Sequence, residues 1–354
     1  MKILHTSDLH LNSPLTGSLP SDKARIRRRE LALSLPKLIS CAKDSACSAI
    51  IISGDLFDGE APDKREVEAV LFSISESREI SFFYLPGNHE GEALLGSGLP
   101  LPKNLFVFGK EWTYFRAEGI VIAGRSRLSV DMYSSLELNP AEKNILVLHG
   151  EPTDRISLPD GLGIKDAVGR GIDYAALGHY HTVSSYRIDS RGVAVYCGSP
   201  FSRGFDECGD RGFILLDTEK LGDYKFVPLE GRRAHILEVN VNGASDYRGL
   251  ISLCKESLST VSPSDMVRLR LIGKRAPELW IDTEDIRSLL SEEVFYLEVA
   301  DSTTLAINPQ DYRYDKSLKG EFLRLVYSRD DLDELTKERV ISTGLFALLG
   351  GEGK

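Results

Sequence analysis

The run Ile50-Ile51-Ile52-Ser53-Gly54-Asp55-Leu56-Phe57-Asp58 joins an apolar, β-branched segment to a glycine and two carboxylates. A short continuous apolar run reads as a strand buried on both faces, the habit of parallel sheets. The glycine ends the strand and Asp55 follows at once. Asp55 therefore sits just beyond the carboxyl end of a central strand, where open α/β sheets place their chemistry. Asp58 stands three residues on.

The chain on either side repeats this arrangement. Residues 2–6 read as a strand leading to Ser7-Asp8-Leu9-His10-Leu11. Helical spacing of Ile26, Leu31, Leu33, Leu35, Leu38, Ile39 and Ala42 predicts a helix over about 23–46, kinked or interrupted by Pro36. A second helix is predicted over 63–77. The strand 81–85 then ends in Pro86-Gly87-Asn88-His89-Glu90. Strand, helix, strand, helix, strand implies right-handed βαβ units and a parallel sheet. Beyond it the pattern is strand-rich: 105–108, 113–116, 119–123 and 144–148, the last running into His149-Gly150-Glu151. Ala175-Ala176-Leu177 leads to Gly178-His179-Tyr180-His181, and strands at 183–188, 193–197, 212–217 and 224–228 follow. The expectation is a mixed α/β body of two sheets with a polar motif at each of several strand ends.

Near Gly231 the pattern changes. Strands at 235–241, 266–272 and 294–299 alternate with helices at 246–260 and 283–291, the latter with Asp282 or Thr283 as N-cap. From Asp311 the chain reads as helical, closed by Gly350-Gly351. The organisation expected is 1–230, a catalytic body; 231–310, a small α/β domain; and 311–354, a C-terminal helical region.

Composition narrows the class. With 42% hydrophobic and 27% charged residues the chain has the balance of a soluble globular protein, and no apolar run is long enough to span a membrane. The first residues already read as a strand entering a functional loop, so no signal peptide is expected. Five cysteines without a CxxC pair fit reduced thiols in a cytoplasm better than disulfides or a zinc-cysteine site. The net charge of −10 argues against non-specific nucleic-acid binding, although acids that ligate cations would be neutralised. The dense basic run Lys23, Arg25, Arg27, Arg28, Arg29 is either the solvated start of a helix or a phosphate contact.

Five of seven histidines stand in short motifs at strand ends: His10 in Asp8-x-His10, His89 after Asn88, His149 before Gly150, and His179 and His181 in Gly178-His179-x-His181. Imidazole and carboxylate suit first-row divalent ions such as manganese, iron or zinc. Each motif is weak alone; all five histidines in this order, in motifs that each follow an apolar strand, point to one metal site.

Together with Gly54-Asp55-x-x-Asp58 and Gly87-Asn88-His89-Glu90, these motifs resemble the full signature of calcineurin-like metallophosphoesterases, over residues 1 to about 230. Within that superfamily, His5-Thr6-Ser7-Asp8-Leu9-His10-Leu11 and Gly54-Asp55-Leu56-Phe57-Asp58 resemble SbcD-like DNA repair nuclease subunits. The C-terminal stretch is most similar to their shorter YhaO-type branch. The resemblance implies a two-sheet α/β metallophosphoesterase core, a small α/β capping domain, and C-terminal helices that dock on an SMC-like ATPase of the SbcC kind. It implies two divalent metal ions, manganese in the family, although the ligand set would also accept iron or zinc. Asp8, His10 and His181 would hold one ion, Asn88, His149 and His179 the other, with Asp55 between them. A carboxylate between two cations holds them roughly 3.5–4 Å apart, and a hydroxide held there would attack phosphorus in line. His89 would protonate or stabilise the leaving oxygen, oriented by Asp58, whose alternative role is helix capping.

The implied activity is manganese-dependent exonuclease and endonuclease cleavage of DNA in repair and recombination. The alternatives are a phosphomonoesterase or small-molecule phosphodiesterase on the same core, and a non-catalytic scaffold for an SMC-like ATPase. Protein phosphatases of the superfamily carry an arginine after the second aspartate of Gly-Asp-x-x-Asp; here Gly59 and Glu60 follow Asp58. Relatives of this architecture form homodimers, which nothing in the sequence itself establishes. His5 reads as packing or support behind the ligands, His235 as surface, Glu90 as loop support, and the cysteines as small buried apolar groups. Arg125, Arg127 and Arg203 would reach phosphates or make surface ion pairs.

Overall fold

The structure is a computed structural model that describes residues 1–15, 19–59, 61–91, 93–154, 161–276 and 279–348. The glycine stop expected at Gly350-Gly351 lies outside the described residues. The chain divides into two compact units, Met1–Arg233 and Ala234 onward.

The first unit contains, in order, β1 (Lys2–Thr6), α1 (Ser21–Ala32), α2 (Ser34–Asp44), β2 (Ala49–Ser53), α3 (Lys64–Ser75), β3 (Ser81–Leu85), the one-turn α4 (Ala93–Gly96), β4 (Leu105–Val107), β5 (Thr113–Ala117), β6 (Ile120–Gly124), β7 (Lys143–His149), β8 (Tyr174–Gly178), β9 (Ser184–Arg187), β10 (Val193–Tyr196), β11 (Gly212–Asp217) and β12 (Lys225–Pro228). They form two six-stranded sheets, ordered β12-β11-β1-β2-β3-β4 and β5-β6-β7-β8-β10-β9. β1 to β4 run parallel, with β11 antiparallel against β1. In the second sheet β6, β7, β8 and β10 run parallel between antiparallel edge strands.

Alternate residues of both sheets meet in one core. Ile3, Ile51, Phe83 and Leu85 come from the first sheet, and Ile122, Ile145, Val147, Ala176 and Val195 from the second. The intervening residues are buried too: Leu146, Leu148, Ala175, Leu177 and Ala194 join Met132, Tyr133 and Leu136 in a separate cluster on the far face. Burial on both faces is why these strands read as unbroken apolar runs rather than alternating ones. Each fully buried Ile or Leu contributes ~1.5–3 kcal/mol relative to exposure. The core thus fixes the strand ends that carry the polar motifs.

The interruption expected at Pro36 falls at Leu33, between α1 and α2. Pro36 is the third residue of α2, where its missing N–H leaves no intrahelical bond unmade. Asp63 caps α3 by accepting from Arg65 N. The basic run of α1 is not uniformly solvated: Arg27 is buried, pairs with Glu30 and donates to Ser202 O at 2.6 Å. Arg232 joins the same Glu30 at 2.8 Å.

The second unit comprises β13 (Ala234–Asn240), α5 (Tyr247–Leu258), β14 (Met266–Ile272), β15 (Lys274–Arg275), α6 (Thr283–Leu290), β16 (Tyr296–Asp301), β17 (Thr304–Leu305), α7 (Leu318–Tyr327) and α8 (Glu334–Leu348). β13, β14 and β16 form a parallel sheet, as the alternating pattern predicts. Asp282 caps α6 through Glu284 N and Asp285 N. The short parallel pair β15 and β17 was not predicted. The region after 311 is tied to what precedes it, with Arg275 Nη2 donating to Ser342 Oγ at 2.8 Å and Leu305 N to Glu338 Oε1 at 3.0 Å.

Candidate metal centre

The parallel pairing of β1 with β2 continues past both strand ends. Asp8 N donates to Gly54 O at 3.0 Å, His10 N to Asp55 O at 3.0 Å, Leu11 N to Leu56 O at 2.9 Å, and Asp58 N to Leu11 O at 2.8 Å. This ladder sets Asp8 and His10 beside Asp55. All three adopt positive φ, 53°, 44° and 50°. Such backbone costs non-glycine residues ~1–3 kcal/mol each and persists only where the surroundings impose it. Glu90 braces the third loop: its buried carboxylate accepts from Leu56 N (3.0 Å), Phe57 N (2.8 Å) and Gly87 N (3.0 Å). Burial raises its pKa to about 7 against the pull of these three donors.

The second sheet supplies the opposite wall. In the β7–β8 register His149 stands opposite Gly178, the residue before His179. His149 Nδ1 lies 2.9 Å from Ser53 O of the first sheet, so the two sheets join at the site. The approach needs glycines. A Cβ on Gly54 would lie 2.1 Å from His149 Nδ1, and one on Gly178 would lie 1.9 Å from Ser53 O. The backbone N–H of His179 donates to both oxygens of Asp8, at 3.1 and 3.2 Å.

Seven side chains expected as ligands converge here. Two donors bound to one ion at about 2.1–2.2 Å and about 90–110° apart are themselves ~3.0–3.6 Å apart. His10 Nε2 and His181 Nε2 are 3.2 Å apart, His181 Nε2 and Asp8 Oδ1 3.6 Å, and His10 Nε2 and Asp55 Oδ2 3.6 Å. The same Asp55 Oδ2 is 3.3 Å from His149 Nε2, which is 3.0 Å from Asn88 Oδ1. The rings of His149 and His179 pack edge to face with centroids 5.3 Å apart. One carboxylate oxygen of Asp55 is thus common to two donor groups, each with the spacing of a coordination shell. A pair of divalent ions fits the residues present.

The electrostatics agree. Burial pushes Asp55 up, but the hydrogen bond and charge of His149 and the charge of His10 outweigh it and hold the carboxylate below its usual range. Burial pushes His149 down, and Asp55 outweighs it in turn, so the imidazole is raised. His179 is lowered by burial and by the neighbouring His149.

Burial grades the site from floor to mouth. Asp8, His10, Asp55 and His149 are buried, His179 and His181 half-buried, and Asn88 and His89 exposed. His89 packs its ring edge to face on His10, with centroids 5.3 Å apart. Asp58 does not stand on His89 alone: its Oδ1 lies 3.3 Å from His10 Nδ1, while one of its oxygens and a nitrogen of His89 fall within 4.8 Å. The hydrogen bond from His10 leads the causes that lower Asp58 to about 2. Helix capping falls to Asp63 instead.

Glu207 is the functional candidate that sequence reasoning missed. It is buried, and its Oε1 lies 2.8 Å from His181 Nδ1. Burial raises it, but His181 and Arg203 bring it down to about 2. Arg203 packs on Glu207, whereas Arg125 pairs with Glu111 at 3.1 Å and lies over Trp112. Arg127 is exposed. His5 is buried between Tyr174 Oη and Ser53 Oγ, both at 2.9 Å, one step behind His149. His235 is half-buried against Asp265. Cys47, Cys197 and Cys254 are buried, and Cys208 is exposed.

Residues 1–183 match the family model of the calcineurin-like phosphoesterases. The chain is 30% identical over 317 residues to the uncharacterized metallophosphoesterase YhaO of Bacillus subtilis, covering 79% of this chain and 73% of that one. It is 22% identical to the DNA double-strand break repair protein Mre11 of Methanosarcina acetivorans, over 94% of this chain but only 53% of that protein's length. Among solved structures, TT1561 of Thermus thermophilus superposes with a TM-score of 0.43 at 14% identity, covering 65% of this chain and 99% of that one.

Proposed function

The chain belongs to the calcineurin-like phosphoesterase family, a family of two-metal hydrolases, and from that premise we propose that it is a DNA nuclease acting as the nuclease subunit of an SbcCD-like repair complex. The observation that carries the hydrolytic part is the one oxygen of Asp55 shared by two donor groups. When bound, two divalent ions supply a hydroxide at neutral pH and Lewis acidity toward the phosphoryl oxygens. Manganese is the ion proposed, with iron or zinc as alternatives for the same donors. Asp8, His10 and His181 would hold one, Asn88, His149 and His179 the other, and Asp55 both.

The remaining residues orient and protonate. His89 stands at the exposed mouth, one residue beyond Asn88, and would deliver a proton to the leaving oxygen. Asp58 holds His10 and the surroundings of His89. A polymeric substrate is favoured by the opening of the site. A groove of about 580 Å³ runs from Gly87 and Asn88 past Ser126 to Lys110 and Arg127, space for nucleotides flanking the reacting phosphate. The DNA repair role in the name of the Methanosarcina relative points the same way.

The second unit offers α7 and α8 as the docking element for an SMC-like ATPase. They pack through Leu323, Val326, Ile341 and Leu345 and expose Leu318, Leu325 and Leu335.

The deciding experiment measures manganese-dependent degradation of single- and double-stranded DNA beside a phosphomonoester. Loss of DNA substrate that is abolished by chelation supports the nuclease reading; turnover of the monoester alone refutes it. For the partner, Leu325→Glu with Leu335→Glu should lose the ATPase while leaving cleavage of a model phosphodiester intact. Retained binding would move the docking site.

A further inference from the structure

We propose that Glu207 is a positioning residue for one of the two metal sites, and that Arg203 ties it to Asp58 so that a single side-chain brace stands behind His10 and His181. The inference rests on the dimetal reading of the site, not on DNA as substrate.

The geometry is that of a carboxylate held in place to orient an imidazole. Glu207 is 2% exposed. Its Oε1 is 2.8 Å from His181 Nδ1, and its Oε2 accepts from Arg203 N at 2.7 Å and Ser199 Oγ at 3.4 Å. Arg203 Nε donates to Oε1 at 3.1 Å, and Nη1 reaches Asp58 Oδ1 at 4.0 Å. Asp58 in turn faces His10 Nδ1 at 3.3 Å. Arg211, also buried, donates to the backbone carbonyls of both His181 and Glu207, which fixes the distance between them.

Arg203 Nη2 also lies 3.1 Å from His181 Nδ1. That nitrogen cannot both donate to a carboxylate and accept from a guanidinium. The carboxylate wins: it is nearer and carries the opposite charge to the proton it accepts. His181 therefore holds its hydrogen on Nδ1 and presents Nε2, the nitrogen 3.2 Å from His10 Nε2, to the metal side. Loss of a carboxylate that orients a ligating imidazole costs roughly 10–100-fold in metal affinity.

The other half of the site is built differently. Nδ1 of His149 faces the backbone carbonyl of Ser53, which no substitution of residue 53 removes. The two ions should therefore respond unequally to changes at Glu207.

The test is a calorimetric manganese titration of the full-length protein, with long-range proton–nitrogen NMR of His181 in the metal-free form. Glu207→Ala is expected to weaken one ion by roughly 10–100-fold and leave the other near its original affinity. Glu207→Gln keeps the shape and loses the charge. It should weaken the same ion less and erode the Nδ1–H form of His181; Glu207→Asp should restore part of both. Asn88→Ala is the counterpart, expected to weaken the other ion. Two ions bound with unchanged affinity, equal weakening of both in a folded Glu207→Gln protein, or an unchanged His181 tautomer would each overturn the proposal. None of these readouts depends on DNA cleavage, so a failed nuclease assay would leave the proposal standing.

Discussion

Gly54→Ala and Gly59→Ala form a matched pair in one loop. Both glycines have strongly positive φ, 100° and 105°, so either substitution forces alanine into backbone that L-residues avoid. That alone costs on the order of 1–3 kcal/mol. The two positions differ in what a methyl group would meet. At Gly59 nothing lies within 4 Å. At Gly54 the new carbon would fall 2.1 Å from His149 Nδ1 and 2.5 Å from its Cγ, so the ring must leave its place. Overpacking of this kind adds ~1–3 kcal/mol. It also breaks the 2.9 Å contact of His149 with Ser53 O and moves Nε2 away from Asp55 and Asn88. Urea unfolding of the metal-free proteins should show Gly54→Ala less stable than Gly59→Ala by at least about 1 kcal/mol. A manganese titration should show one ion lost or weakened in Gly54→Ala and two retained in Gly59→Ala. If the two variants are equally stable and each binds two ions normally, the close packing of His149 on Gly54 is wrong.

Three further outcomes can be checked on the same protein. His89→Asn should abolish phosphodiester cleavage with both metals still bound; undiminished cleavage would remove His89 from the role of leaving-group acid. Asp55→Asn should lower the occupancy of both ions, whereas Asn88→Ala should affect mainly one, which metal analysis separates. His5, buried neutral, has its pKa lowered by burial to about 3. Below pH ~6.5 the unfolded chain takes up a proton that the folded chain refuses, so stability is lost as pH falls from there toward 3, by up to ~5 kcal/mol. Urea unfolding of metal-free His5→Asn between pH 7 and 4 should show a shallower acid limb than the parent; an identical limb would mean that His5 takes up its proton without penalty.

The strand ends were legible because burial on both faces leaves an unmistakable apolar run, and each run stops at a glycine or polar residue. Ile50-Ile51-Ile52 before Gly54-Asp55, and Ala175-Ala176-Leu177 before Gly178-His179, are readable for that reason alone. The break of the first long helix was legible in existence but not in place. Pro36 forbids certain positions and permits the first turn, so the chain moved the break three residues back to Leu33. What stayed hidden were contacts set by tertiary distance. Nothing in the spacing of Asp58 says that it will face His10 across the β1–β2 ladder as well as lie near His89.

Glu207 shows the limit most clearly. It lies 26 residues from His181 in an irregular stretch after β10, and a carboxylate in a loop looks like any solvated acid. Its signal was present in Arg203-x-x-x-Glu207, but that pairing acquires meaning only when the stretch is known to fold back on His181. Buried basic residues mislead for the same reason. Arg27 belongs to a run that reads as a charged helix face, yet its guanidinium is buried between Glu30 and Ser202 O. Burying an unpaired charge costs several kcal/mol, so a buried arginine is evidence that partners exist, although the sequence does not say which. In this chain Arg27 and Glu207 each find a partner between residues 199 and 211: Ser202 O for Arg27, and Ser199, Arg203 and Arg211 for Glu207. That irregular segment, which carries no motif, backs His181 in the candidate metal centre through Glu207.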